Sequence, residues 1–153
     1  MDEITTAVIH IKQLYTENLK RLMIYKKVQN NNFSDFEMLS NKLIDQKKAF
    51  CETLEKELKK LEKLGVKILI HKSKLSNFLK KKLVNEDKVT VFITLTHLEK
   101  CLISEYKHAL TMLNPNSEIY KVLLSQKGKL ENMISELENL GILSLQKGKK
   151  AVA

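Results

Sequence analysis

At 153 residues the chain is the size of one domain with a real core, and 43% apolar with 29% charged residues is a foldable composition, not a disordered one. Four Gly, one Pro and no Trp argue against a fold of many strands and turns and for long helices. The formal charge is +9, yet Arg21 is the only arginine among 27 basic residues, which weighs against base-specific reading of DNA, where bidentate arginine contacts dominate.

The charge is uneven. Residues 56–88 hold eleven Lys against four acids, and residues 142–153 hold three Lys and no acid, while the rest is nearly neutral. Lysine still contacts phosphate without sequence preference, so a lysine-mediated binder of DNA or of an anionic membrane is one alternative function. The N-terminus, MDEITTAVIHIKQLY, is acidic and helical in period, unlike a secretory leader, and no apolar run reaches membrane length. Cys51 and Cys101 are far apart without metal-type spacing, so both are expected as free, inert thiols in a reducing cytoplasm.

The first element is a helix over about 2–29. Ile4, Val8, Ile11, Tyr15, Asn18, Leu22 and Tyr25 recur at spacings of four and three, with Asn18 the polar member. The Asn run 30–32 is a turn. A second helix, about 35–64, carries Phe36, Leu39, Leu43, Phe50, Leu54, Leu58, Leu61 and Leu64, with Gln46 and Lys47 where an apolar residue would continue the stripe, and Gly65 as its stop. Residues 66–87 are too long for a hairpin loop. Within them HKSKLSNFLKKKL reads as a short amphipathic helix, its basic surface made by Lys72, Lys74, Lys80, Lys81 and Lys82. The third helix, about 88–113, has the stripe Phe92, Leu95, Glu99, Leu102, Tyr106, Ala109 and Leu113, a carboxylate among apolar residues. Asn114-Pro115-Asn116 is a turn and Ser117 a cap. The fourth helix, about 118–140, buries Ile119, Leu123, Gln126, Leu130, Ile134 and Leu137, with Gly141 as its stop and 142–153 as a basic tail.

The two helix pairs repeat. A shift of 81 places Asn18 on Glu99 and Tyr25-Lys26 on Tyr106-Lys107, and a shift of 76 places Leu54-Glu55 on Leu130-Glu131 and Leu64-Gly65 on Leu140-Gly141. The expected fold is all-α: a ferritin-like four-helix bundle of two helical hairpins joined by a long crossover with its own short helix, one domain over 1–141. Ile-Tyr-Lys-Lys-Val (24–28), Leu-Gly (64–65), Lys-Leu and Phe within 74–79, Asn-Glu-Asp (85–87), Glu99 and Glu-Tyr-Lys-His-Ala-Leu (105–110) carry a family likeness. With them the chain resembles, over about residues 4–140, a bacterial ferritin-superfamily four-helix-bundle group, a domain of unknown function. The resemblance implies the fold, a cytoplasmic bacterial setting and a link to stress. It implies no reaction.

A ferritin-like di-iron site takes a Glu from each of two helices and a Glu-x-x-His pair from each of the other two. The central positions here are Asn18, Gln46 or Phe50, Glu99 and Gln126, one carboxylate where four are needed. The Glu-x-x-His of this chain, Glu105 and His108, falls on the flank and the outer side. Glu52 and Glu131 also flank their stripes, and His10 and His97 lie off the core positions. Metal ligation by Glu99 with Glu52, Glu131, Glu105 or His108 therefore stands as the weaker alternative, a metal-binding or oxidoreductase ferritin-like protein. The stronger reading is a polar layer of Asn18, Gln46, Glu99 and Gln126 that fixes register, with Lys47 or Lys100 in reach of the acid. No catalytic residue and no cofactor is expected, and the protein is read as acting through protein interaction or self-association as a homo-oligomer.

Overall fold

The computed structural model describes residues 2–29, 34–62 and 88–152, and they form four helices: α1 (Glu3–Gln29), α2 (Ser34–Glu62), α3 (Lys88–Thr111) and α4 (Glu118–Val152). No strand occurs among the described residues. The Asn turn at 30–32, the Leu64-Gly65 end of the second helix, the crossover 66–87 and Lys72, Lys74, Lys80, Lys81 and Lys82 lie outside them.

Helix starts follow local chemistry. The Asp2 carboxylate accepts the Thr5 N–H at 2.6 Å and caps α1. At the other turn Asn114 O accepts the Ser117 N–H at 3.0 Å, and the Ser117 hydroxyl takes the Tyr120 N–H at 3.3 Å, opening α4.

Cross-helix contacts fix the directions. Tyr15 meets Cys51 and Gln29 meets Asn41 between α1 and α2. Lys100 meets Glu138 and Tyr106 meets Gln126 between α3 and α4. Gln13 meets Glu105 and Tyr25 meets Glu99 between α1 and α3. Lys42 meets Glu136 and Gln46 meets Lys129 between α2 and α4. Numbers rise on one helix as they fall on its neighbour in all four pairs, so every adjacent pair is antiparallel and α2 runs parallel to α3. Residue 62 and residue 88 therefore lie at opposite ends of a bundle about 40 Å long at ~1.5 Å per residue. The 25 residues between them can span it, since an extended chain covers ~3.3 Å per residue.

Packing is closest within α1–α2 and within α3–α4, and the two hairpins meet more loosely through α1–α3 and α2–α4. Two apolar clusters result. One joins Val8, Ile11, Leu54, Leu102 and Leu123 toward the end where α2 finishes. The other joins Tyr25, Leu43, Phe92, Leu95 and Leu137 toward the end where α3 begins. Each fully buried leucine contributes ~1.5–3 kcal/mol relative to exposure. Asn18, Lys47 and Glu99 lie between the clusters.

The helix α4 runs on through Gly141 to Val152, so the expected stop and tail are corrected: 142–152 continue the helix. One glycine costs a helix only ~1 kcal/mol relative to alanine, and here no proline follows it. Gly128 sits in the same helix, exposed, with nothing within 4 Å of where a Cβ would stand. Gly128→Ala is therefore expected to add about 0.5–1 kcal/mol and raise Tm by ~1–4 °C. Differential scanning calorimetry checks this, and a lowered Tm would contradict it.

Candidate functional site

The centre of the bundle is a layer of polar side chains between the apolar clusters. Asn18, Lys47 and Glu99 are completely shielded from solvent, Gln126 nearly so. Tyr25 and Tyr106, also buried, bring their hydroxyls into the layer.

One half of the layer is charged. The Lys47 ammonium lies 2.6 Å from Glu99 Oε1 and the Tyr25 hydroxyl donates to Glu99 Oε2 at 2.7 Å, so both carboxylate oxygens are occupied. Lys47 also donates to Gln46 Oε1 at 2.8 Å and lies 5.6 Å from the Phe50 ring centroid. Burial pulls the Lys47 pKa down, opposed by the Glu99 charge beside it. Burial, with the Glu99 charge next in weight, pushes the Tyr25 phenol well above its ordinary value.

The other half is neutral. Asn18 Nδ2 donates to Leu14 O at 2.8 Å and to the Tyr106 hydroxyl at 3.0 Å. The Tyr106 hydroxyl donates in turn to Gln126 Oε1 at 2.6 Å. Asn18 Oδ1 is buried with no hydrogen-bond partner. Burial raises the Tyr106 pKa, and raises the Cys51 thiol to about 11.

The structure distributes the sequence candidates unevenly. It brings Asn18, Glu99 and Gln126 into one buried layer. The buried member from α2 is Lys47, whereas Gln46 is half-buried at the edge, its amide nitrogen donating to Lys129 O at 3.2 Å. Lys100, the other lysine considered for Glu99, pairs instead with Glu138 at 2.9 Å. Glu52 and Glu131 are exposed, Glu131 held by Lys127 at 2.7 Å. Glu105 is half-buried and accepts from Gln13 at 2.9 Å, and His108 is exposed.

Four buried polar residues escaped the sequence reading: His10, Lys12, Arg21 and Ser40. Arg21 is buried: its Nε donates to Leu98 O on α3 at 3.0 Å, and its Nη1 holds Glu17 Oε2 at 2.8 Å. The guanidinium thus pins α1 to α3 beside the layer. The signal was available, since Arg21 is three residues after Asn18 and four before Tyr25 on one helix face. His10, expected off the core, is 9% exposed with its ring centroid 5.6 Å from that of His108. It faces α3 while Ile11 next to it faces the core, because α1 packs against two neighbours. Burial, then His108, lowers the His10 pKa.

These residues do not fit a di-iron centre. The one carboxylate of the layer already holds an internal ammonium and a phenol, and the neighbouring acids sit outside it. Among the described residues no group of three or more His, Cys, Asp or Glu is placed to hold a metal ion. None of their helices is long and apolar enough to cross a membrane. Compared with protein-family models, curated proteins and solved structures, the chain matches none.

Proposed function

We propose that the chain is a ferritin-like bundle whose core layer is built on a lysine–glutamate pair in place of a metal centre, and that it works without catalysis, through protein interaction or self-association in the cytoplasm. The observation that carries this reading is Lys47 seated on Glu99 at 2.6 Å with both residues fully buried. An ammonium at that place supplies the positive charge that a cation would supply, and it leaves no open ligand position. The Lys47–Glu99 pair is sealed, so Glu99 reaches no substrate.

The parallel course of α2 and α3, which calls for an end-to-end crossover, supports ferritin-like connectivity. Internal duplication is part of the proposal, and the layer supports it. Under the shift of 81 the Tyr25–Glu99 contact maps onto the Tyr106–Asn18 contact, and the two measure 2.7 and 3.0 Å. The halves then diverged, the acid keeping its charge on one side and an amide replacing it on the other.

Elemental analysis of protein purified from iron-fed cells tests the reading. The expected iron content is far below one atom per chain. About two irons per chain, the complement of a full ferritin-like centre, would overturn it.

A further inference from the structure

The loose meeting of α2 and α4 leaves a groove of about 370 Å³ beside the core layer. Phe50 and Gln126 form its buried floor, and Val122 gives it an apolar wall. Thr53 and Ser125 add hydroxyls that make no intramolecular hydrogen bond among the described residues, and Lys121 and Lys129 stand exposed at its rim without ion-pair partners there. No Asp or Glu lines it.

The hydrogen-bond chain of the neutral half-layer fixes what the floor offers. A carbonyl only accepts, so the Asn18 atom at Leu14 O must be the amide nitrogen. That nitrogen also donates to the Tyr106 hydroxyl, which leaves the single phenol proton for Gln126. The Gln126 atom facing Tyr106 is therefore Oε1, and Nε2 is the end left to the groove. Nε2 has no partner among the described residues, although Gln126 is only 4% exposed. The groove thus combines an apolar floor with an unpartnered amide N–H donor that is not sealed from solvent and two unpaired ammonium groups.

The groove between α3 and α4 is larger, about 540 Å³, but it contains Glu131, and its Lys127 and Lys100 are already paired with Glu131 and Glu138. Two of its three lysines are thus paired and the third, Lys107, faces the Glu131 charge, whereas no acid lines the α2–α4 groove.

We propose that the α2–α4 groove binds a small organic carboxylate with an apolar body, the body on Phe50 and Val122 and the carboxylate between Gln126 Nε2 and the Lys121 and Lys129 ammonium groups. The volume is that of a small-ligand site. The site lies outside the sealed Lys47–Glu99 pair, so it stands or falls independently of the metal question.

Phenylacetate, titrated into the ¹⁵N-labelled full chain at low salt, is the probe. Saturable shifts are expected at Thr53, Val122, Ser125 and the Gln126 side-chain amide. The double variant Lys121→Ala/Lys129→Ala, both exposed positions that leave the core intact, is expected to weaken binding about tenfold or more. Phenylacetamide, lacking the charge, and acetate, lacking the ring, should each bind about tenfold more weakly. The proposal is overturned by no saturable shift at ~10 mM phenylacetate, a weak limit for specific binding. Equal shifts along the Lys100–Lys107 surface, unchanged affinity in the double variant, or equal binding of phenylacetamide would overturn it too.

Discussion

Replacing Lys47 by methionine is expected to destabilise the protein by about 3–5 kcal/mol, the usual cost of stripping the counter-charge from a buried ion. Methionine nearly matches the lysine stem, so the loss comes from charge and not from volume. Glu99 would keep the Tyr25 hydroxyl on one oxygen and lose its ion-pair partner, at a place with no access to water. Gln46 Oε1 also loses its donor, a lesser matter because Gln46 is half-buried and water can replace the bond. The double variant Lys47→Met/Glu99→Leu should recover most of the loss, since a well-packed apolar pair removes both desolvation penalties. Recovery stops short of complete because the Tyr25 hydroxyl is left without its acceptor, which costs ~1–3 kcal/mol. Urea denaturation of wild type, both single variants and the double variant closes the cycle. A coupling of ~2 kcal/mol or more is expected. A Lys47→Met variant within 1 kcal/mol of wild type would mean that the pair carries no charge worth neutralising.

The helices were legible in the sequence because a three-and-four spacing of apolar residues has one simple physical outcome, an apolar stripe. The polar members of that stripe stood out for the same reason, and Asn18, Glu99 and Gln126 are buried where the stripes put them. The choice between Gln46 and Lys47 was less accessible. From Leu43 to Phe50 a three-then-four step lands on Gln46 and a four-then-three step on Lys47, and both fit a helix. The choice is made across the bundle, by the charge on Glu99, and no local pattern contains it. Arg21 and His10 were missed for a related reason: each faces α3, and a reading based on one stripe assigns α1 a single neighbour. Gly141 misled differently. Its meaning as a stop depends on a left-handed residue or a proline after it, and Ile142 and Leu143 follow instead.

The same buried groups set the response to alkali, and stability is expected to hold to about pH 9 and then fall. The Cys51 thiol rises from 9.0 to about 11 on burial. The folded protein keeps that proton while the unfolded chain releases it, so the contribution is intact below pH 9 and lost as pH climbs toward 11. Tyr25 and Tyr106 are both raised by burial from 10.0, and each adds a loss of the same sign above pH 10. Lys47 opposes them. Its pKa is lowered from 10.5, so the unfolded chain holds the proton longer and stability gains with pH until 10.5. That window closes at the ordinary lysine value, whereas the two phenols go on acting beyond it. The fall should therefore be gradual from pH 9 and steepest above pH 10.5. Urea midpoints followed by circular dichroism from pH 8 to about pH 11.5 give the profile. Cys51→Ala should flatten the stretch between pH 9 and 11, and Tyr106→Phe should reduce the slope above pH 10, where its phenol no longer titrates in either state. A wild-type midpoint unchanged up to about pH 11.5 would show that these groups titrate alike in the folded and unfolded chains, and the buried layer could not then be as it is described.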